Sequence, residues 1–256
     1  MSYRPDIGIH PEKGATSPDN ERLLWQIELS SCFPDIFPEV VIPPRRHHFD
    51  YDQHYPVEKV PGITWRQLQK KNVPLAIHLD IARTVAQQTI DILHSTGIII
   101  SDRNATNIIL GTNAILKTWA IRRHQYHLQQ IDTEARYIFD IMSTQKDAPL
   151  PSLRQRQLDR PDGYNLSTAH DLAASHRHLT RSLAIVLTEL VEPILQKMHQ
   201  TNNTPLYWQV RTAITSYFHQ QATGQDLPGI LQAFQTTCDK IANNELLAKY
   251  QNATAA

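Results

Sequence analysis

The stretch His94-Ser95-Thr96-Gly97-Ile98-Ile99-Ile100-Ser101-Asp102-Arg103-Asn104-Ala105-Thr106-Asn107-Ile108-Ile109-Leu110 decides how this chain is read. The segment leading into it, Pro74–Ser95, repeats apolar residues three and four apart at Leu79, Ala82, Ala86, Ile90 and Leu93. That spacing predicts an amphipathic helix with one buried stripe. Gly97 suits the left-handed cap that ends such a helix. Ile98–Ile100 and Asn107–Leu110 then read as short apolar segments on either side of a polar loop. On residue type alone, Asp102 and Asn107 also fit a polar turn whose side chains bond their own backbone. His94 is expected to be a core histidine bonded to backbone.

Outward from the loop, the rest of the chain is mainly helical in pattern. Residues 1–16 carry Pro5, Gly8, Pro11 and Gly14 with no period and read as coil. Ser17-Pro18-Asp19 opens a helix to about Ser30, with a cap, a proline in the first turn and an acid at the positive end of the dipole. Six prolines lie from Cys32 to Pro61, around two β-like pieces, Glu39–Ile42 and Tyr55–Val60. A helix over Thr64–Lys71 follows the turn at Pro61-Gly62. Downstream, Ala114–Ile121 and Tyr126–Ile131 are strand-like, and Asp132–Ser167 is irregular. Leu179, Leu183, Val186, Leu190 and Ile194 predict a long helix over Thr168–His199. Two more helices, near Leu206–Gln221 and Gly229–Tyr250, complete the pattern.

Bulk composition narrows the function classes. The 256 residues hold 25 basic and 25 acidic side chains, so net charge offers no case for nucleic acid or an acidic membrane as partner. Cys32 and Cys238 form no metal or disulfide pattern and are expected as small, buried or half-buried side chains. The apolar run within Leu183–Leu195 is interrupted by Thr188, Glu189, Glu192 and Pro193, too polar for a membrane span. No apolar leader follows Met1, and a cytoplasmic location is the expectation.

The loop resembles the catalytic loop of the protein-kinase-like superfamily. There, a helix ends in His-x-x-Gly, an apolar pair follows, and an Asp precedes an Asn by five positions; here Asp102 and Asn107 occupy those places. The resemblance implies that Asp102 meets the hydroxyl that attacks a nucleotide phosphate. It implies that Asn107 and Asp132, the latter in Gln130-Ile131-Asp132-Thr133-Glu134, hold Mg2+ on ATP. The Asp102 carboxylate and the Asn107 amide oxygen must reach their targets from one rigid loop, which explains the spacing between those two. Val60 and Gly62, in the step leading to Thr64-Trp65-x-x-Leu68, are similar to the adenine-contacting hinge. Glu21 resembles the small-lobe helix Glu that pairs with the nucleotide-binding lysine, and Asp171 the residue that ties the central helix to the loop backbone. The resemblance covers about residues 17–200.

Several features depart from that pattern. Gly8 and Gly14 are the only glycines in the first sixty residues, so no glycine-rich flap covers the phosphates. Lys13, the only lysine before Glu21, sits among Pro11, Gly14 and Ser17 rather than on an apolar strand. Ile100-Ser101 replaces the His-Arg before the catalytic Asp, which argues against control through a phosphorylated activation segment. Thr133-Glu134 replaces Phe-Gly. Elsewhere, His47, His48, Asp50, Asp52 and His54 alternate as metal ligands on a strand could, but a loop among prolines is the plainer reading, since a structural zinc site needs four well-placed ligands.

These readings predict an α+β, protein-kinase-like fold with a reduced small lobe over residues 1–60 and a mainly helical large lobe over 61–256. The resemblance implies an atypical ATP- and Mg2+-dependent phosphotransferase acting on a hydroxyl of a protein or small molecule. Acceptor choice falls to the segment 133–167, and a protein partner is a candidate to complete the small lobe. Two alternatives stay open: a pseudokinase serving as a binding or regulatory scaffold, and a helical interaction protein with an accidental loop match.

Overall fold

The computed structural model describes residues 29–37, 62–71, 73–96, 98–100, 103–111, 128–130, 135–138, 172–200 and 204–251. Residues 29–32 are helical, with Leu29 and, five residues past that segment, Phe37 buried. Then come β1 (Gly62–Thr64), α1 (Trp65–Gln69), α2 (Leu75–Thr96), β2 (Ile98–Ile100), β3 (Ile108–Gly111), β4 (Leu128–Gln130) and β5 (Ala135–Ile138). Four helices follow: α3 (Leu172–Gln200), α4 (Thr204–Ala222), α5 (Leu227–Ala242) and α6 (Ala248–Gln251).

The described chain is α+β and mainly helical. Its elements run in the order implied for a protein-kinase-like large lobe: helix, strand, polar loop, strand pair, long central helix, further helices. The expected first lobe, residues 1–60, is described only at 29–37.

The helices form one core because their apolar stripes face each other. On α2, Leu79, Ala82, Val85, Ala86, Ile90 and Leu93 are buried, as their spacing predicts. On α3 the buried set includes Leu179, Leu183, Val186, Leu187, Leu190 and Leu195. Helix α3 packs on α2 and α4, and α5 packs on α2 and α4. Pro193 sits inside α3 without ending it. Cys238 is buried and Cys32 half-buried, as expected. Among the described residues no helix is long and apolar enough to cross a membrane.

Two small antiparallel sheets frame the polar loop. One has the order β1-β3-β4, with Gly62 opposite Gly111, Thr64 opposite Ile109 and Ile108 opposite Gln130. The other pairs β2 with β5, Ile98 opposite Ile138 and Ile99 opposite Tyr137.

Four expectations need correction. The helix expected over Thr64–Lys71 starts after Thr64, which is the strand's last residue and the helix cap: its hydroxyl accepts from the Gln67 N–H while the Gln67 side chain accepts from the Thr64 N–H. Residues 135–138, placed in an irregular stretch, form β5; the strand exists through its distant partner β2 rather than through its own pattern. The helix expected over Gly229–Tyr250 ends at Ala242. Asn243 caps it, Asn244 takes φ 60°, a conformation that asparagine tolerates, and the Glu245 N–H closes the turn on Lys240 O at 2.9 Å. His94, read as a core histidine, is exposed: Ile92 and Leu93 face inward, and the next position rotates out. The expected strands at Ala114–Ile121, Glu39–Ile42 and Tyr55–Val60, the Gly97 cap and the histidine cluster lie outside the described residues.

Candidate active site

The candidate loop is described from Arg103 to Asn107, and it is held on both sides. Within the loop, Asn104 makes the local turn: its Oδ1 accepts from the Thr106 N–H at 2.9 Å and from the Thr106 hydroxyl, and Asn104 O accepts from the Asn107 N–H at 3.1 Å. Among the described residues, Asn104 makes self-bonding of the kind expected for a polar turn. Asn107 lies at the entry to β3, buried, with its Oδ1 3.4 Å from the Thr106 hydroxyl. Arg103 is buried, and burial pushes its guanidinium down to about 9.

From the α1 side, the Arg66 N–H donates to Ala105 O at 2.8 Å. That N–H lies in the first turn of α1, where helix geometry leaves donors free for outside acceptors. Helix α1 is itself pinned on α2: the Trp65 indole N–H donates to His78 Nδ1 at 3.0 Å, with both rings buried. An accepting Nδ1 places the imidazole proton on Nε2, and burial pushes His78 down to about 4, so the ring is neutral.

From the α3 side, two buried polar groups reach the loop. The Ser182 hydroxyl donates to Ile100 O at 2.8 Å, two residues before Asp102. Glu189 accepts from Arg66 Nη2, at 3.0 Å to Oε1 and 2.8 Å to Oε2, and Arg66 in turn holds the loop through its N–H on Ala105 O. Gln69 Nε2 donates to Glu189 O at 2.7 Å. Burial raises the Glu189 carboxyl above its ordinary range, and Arg66, Gln69 and the Ala105 backbone oppose that shift.

Gly62 opens β1 where the backbones nearly touch. A Cβ there would lie 2.0 Å from Leu110 O, at φ 157°, so only glycine fits. Strand β3 thus joins Asn107 at its entry to the Gly62–Gly111 pair at its end. Opposite Ile108 stands Gln130, two residues before Asp132 in sequence. Asp102, Asp132, Glu21, Val60 and Asp171 lie outside the described residues.

Sequence reasoning missed Ser182, Glu189 and Arg66 as loop contacts. The available signal was Glu189 itself, a charge interrupting the apolar run of α3. A carboxylate on a buried stripe needs partners.

No family model and no curated protein matches the chain. Among solved structures it is similar to the kinase domain of PknI from Mycobacterium tuberculosis. The double-mutant form has 15% identity and a TM-score of 0.43, covering 97% of this chain and 84% of that one. A single-mutant form has 16% identity and a TM-score of 0.43, with coverage of 93% and 83%.

Proposed function

We propose that the protein is an atypical phosphotransferase that moves the γ-phosphoryl group of ATP to a hydroxyl acceptor. Asp102 takes the proton of the acceptor hydroxyl as its oxygen bonds to phosphorus, and the bond from phosphorus to the bridging oxygen breaks to release ADP. Asn107 and Asp132 offer oxygen donors of the kind that magnesium prefers, and bound magnesium supplies neutralisation of phosphate charge. The hinge at Val60 and Gly62 is the adenine side of this site, with Glu21 contributed by the small lobe.

One observation supports this reading above the others. Gln130, two residues before Asp132 in sequence, pairs with Ile108, the residue after Asn107. Catalysis then rests on positioning and charge neutralisation, with no covalent intermediate. The acceptor is a protein or small molecule chosen by segment 133–167, a protein partner completes the reduced small lobe, and the setting is cytoplasmic.

A pseudokinase scaffold is the second reading. The missing glycine flap and nucleotide-binding lysine favour it. The two are separated by nucleotide binding and labelled-phosphate transfer in wild type, Asp102→Asn and Asp132→Asn. An enzyme keeps binding but loses transfer in Asp102→Asn, and loses both in Asp132→Asn. Equal binding in all three, with no transfer in any, contradicts the enzyme and leaves the scaffold.

A further inference from the structure

Asn104, Thr106 and Asn107 meet in one corner of the candidate loop, and the protons they hold decide how the Asn107 amide is turned. The Thr106 N–H donates to Asn104 Oδ1 at 2.9 Å. A backbone N–H only donates, so that end of the Asn104 amide is its carbonyl oxygen. The Thr106 hydroxyl lies against the same oxygen and donates to it too, since a carbonyl oxygen gives no proton. A threonine hydroxyl carries one proton, and this contact uses it.

Toward Asn107, Thr106 Oγ1 is therefore an acceptor only. Asn107 Oδ1 lies 3.4 Å from it. Two oxygens with no proton between them make no hydrogen bond. A half-turn about the Asn107 Cβ–Cγ bond presents Nδ2–H to Thr106 instead and makes one. The two ends of an amide have nearly the same shape, so hydrogen bonding rather than packing decides between the orientations. The backbone under this side chain is fixed separately, by the Asn107 N–H on Asn104 O at 3.1 Å. Asn107 is buried, which makes the choice of orientation matter, whereas Thr106 is exposed.

We propose that Thr106 is a positioning residue for Asn107: its hydroxyl oxygen accepts from Nδ2 and so turns the carbonyl oxygen of Asn107 to the opposite side. That oxygen is the end of the amide that binds a cation. Asn104 sets the arrangement up by holding the hydroxyl proton. The functional half of the inference rests on the reading of Asn107 as a ligand to magnesium on ATP; the orientation of the amide does not. Thr106 touches neither metal nor nucleotide and acts through Asn107.

The test uses the full chain with isotope-labelled asparagine and follows the Asn107 side-chain NH2 signals without metal. Wild type is compared with Thr106→Val, which keeps the shape and removes the oxygen, and with Thr106→Ser, which keeps the oxygen. Thr106→Ala serves in place of valine where the larger side chain disturbs the turn. The expected result is proton exchange at the Asn107 NH2 about threefold to tenfold faster in Thr106→Val, as the loss of one neutral hydrogen bond implies, and unchanged in Thr106→Ser. The second measurement is the magnesium concentration that half-saturates ATP binding. It rises about threefold to tenfold in Thr106→Val and stays within about twofold of wild type in Thr106→Ser. Equal NH2 exchange in wild type and the variants that lack the oxygen overturns the proposal. So does faster exchange with an unchanged magnesium requirement, because Thr106 then bonds Asn107 without positioning it for the metal. A wild type whose ATP binding ignores magnesium overturns the phosphotransferase reading instead, and NH2 exchange then still decides how the amide is turned.

Discussion

The Ser182 hydroxyl and the Ile100 carbonyl meet at 2.8 Å inside the protein, joining the central helix to the strand that feeds the candidate loop. The family resemblance assigns such a tie to an aspartate, for which Asp171 was the expectation. Asp171 lies outside the described residues; among the described ones, Ser182 on α3 ties that helix to the strand before the loop. Ser182→Ala is expected to cost about 1–2 kcal/mol, because Ile100 O is buried and loses this donor. Urea denaturation measures that loss, and a cost near zero shows that another donor takes over.

Gly62 makes a sharper prediction. Its missing Cβ lets β1 approach β3 to within bonding distance of Leu110 O. Gly62→Ala forces those strands apart, with an expected loss of about 2–4 kcal/mol. On the proposed reading of Gly62 as part of the adenine hinge, nucleotide binding falls with it. Full stability in this variant contradicts the strand register described here.

The Trp65–His78 pair predicts a pH dependence. Burial holds His78 at about 4 in the folded protein against 6.5 in the free side chain. As pH falls, the unfolded chain takes up the proton first. Stability from this residue is full at neutral pH and lost between about pH 6.5 and 4, by up to about 3 kcal/mol. Below that window both states are protonated and the loss stops. His78→Gln is expected to flatten this part of the pH profile, read as the change in urea midpoint from pH 7 to pH 5. Trp65→Phe leaves Nδ1 without its donor and costs about 1–3 kcal/mol at pH 7.

How much of this was legible in the sequence depends on where the cause lies. The stripes of α2 and α3 are local patterns, and Leu79, Ala82, Leu183 and Leu190 are buried where their spacing puts them. Strand β5 was not legible, because Ala135–Ile138 becomes a strand only by pairing with Ile98–Ile100, far away in sequence. The stop after Ala242 was visible in principle: Asn243-Asn244 can cap a helix and enter the left-handed region, yet the apolar spacing continuing to Leu247 outweighed it. At the site, the Asp-x4-Asn spacing singled out the loop. Its supports, Arg66 and Glu189, are 123 positions apart, and only folding brings them together.

The shortest ion pair on the α2–α5 contact contributes little by the same physical reasoning. Arg83 Nη2 and Asp239 Oδ1 stand 2.6 Å apart, but their side chains are 35% and 62% exposed. Water screens the pair and holding both side chains costs entropy. Asp239→Asn is expected to shift stability by no more than about 0.5 kcal/mol, smaller still at high salt. A loss above about 2 kcal/mol, measured by urea denaturation, contradicts this.

The central claim is that Asn107 and Asp132 share a metal on a nucleotide, and ATP binding with and without magnesium tests it most directly. The sequence offers no glycine-rich stretch in its first sixty residues and Lys13 alone as a lysine before Glu21, so the proposed site would depend on the metal for its hold on the phosphates. Titration calorimetry on the wild-type chain is expected to show weak binding with magnesium, reduced at least tenfold when the metal is chelated and abolished in Asp132→Asn. Tight ATP binding that survives chelation and is unaffected by Asp132→Asn would contradict the account.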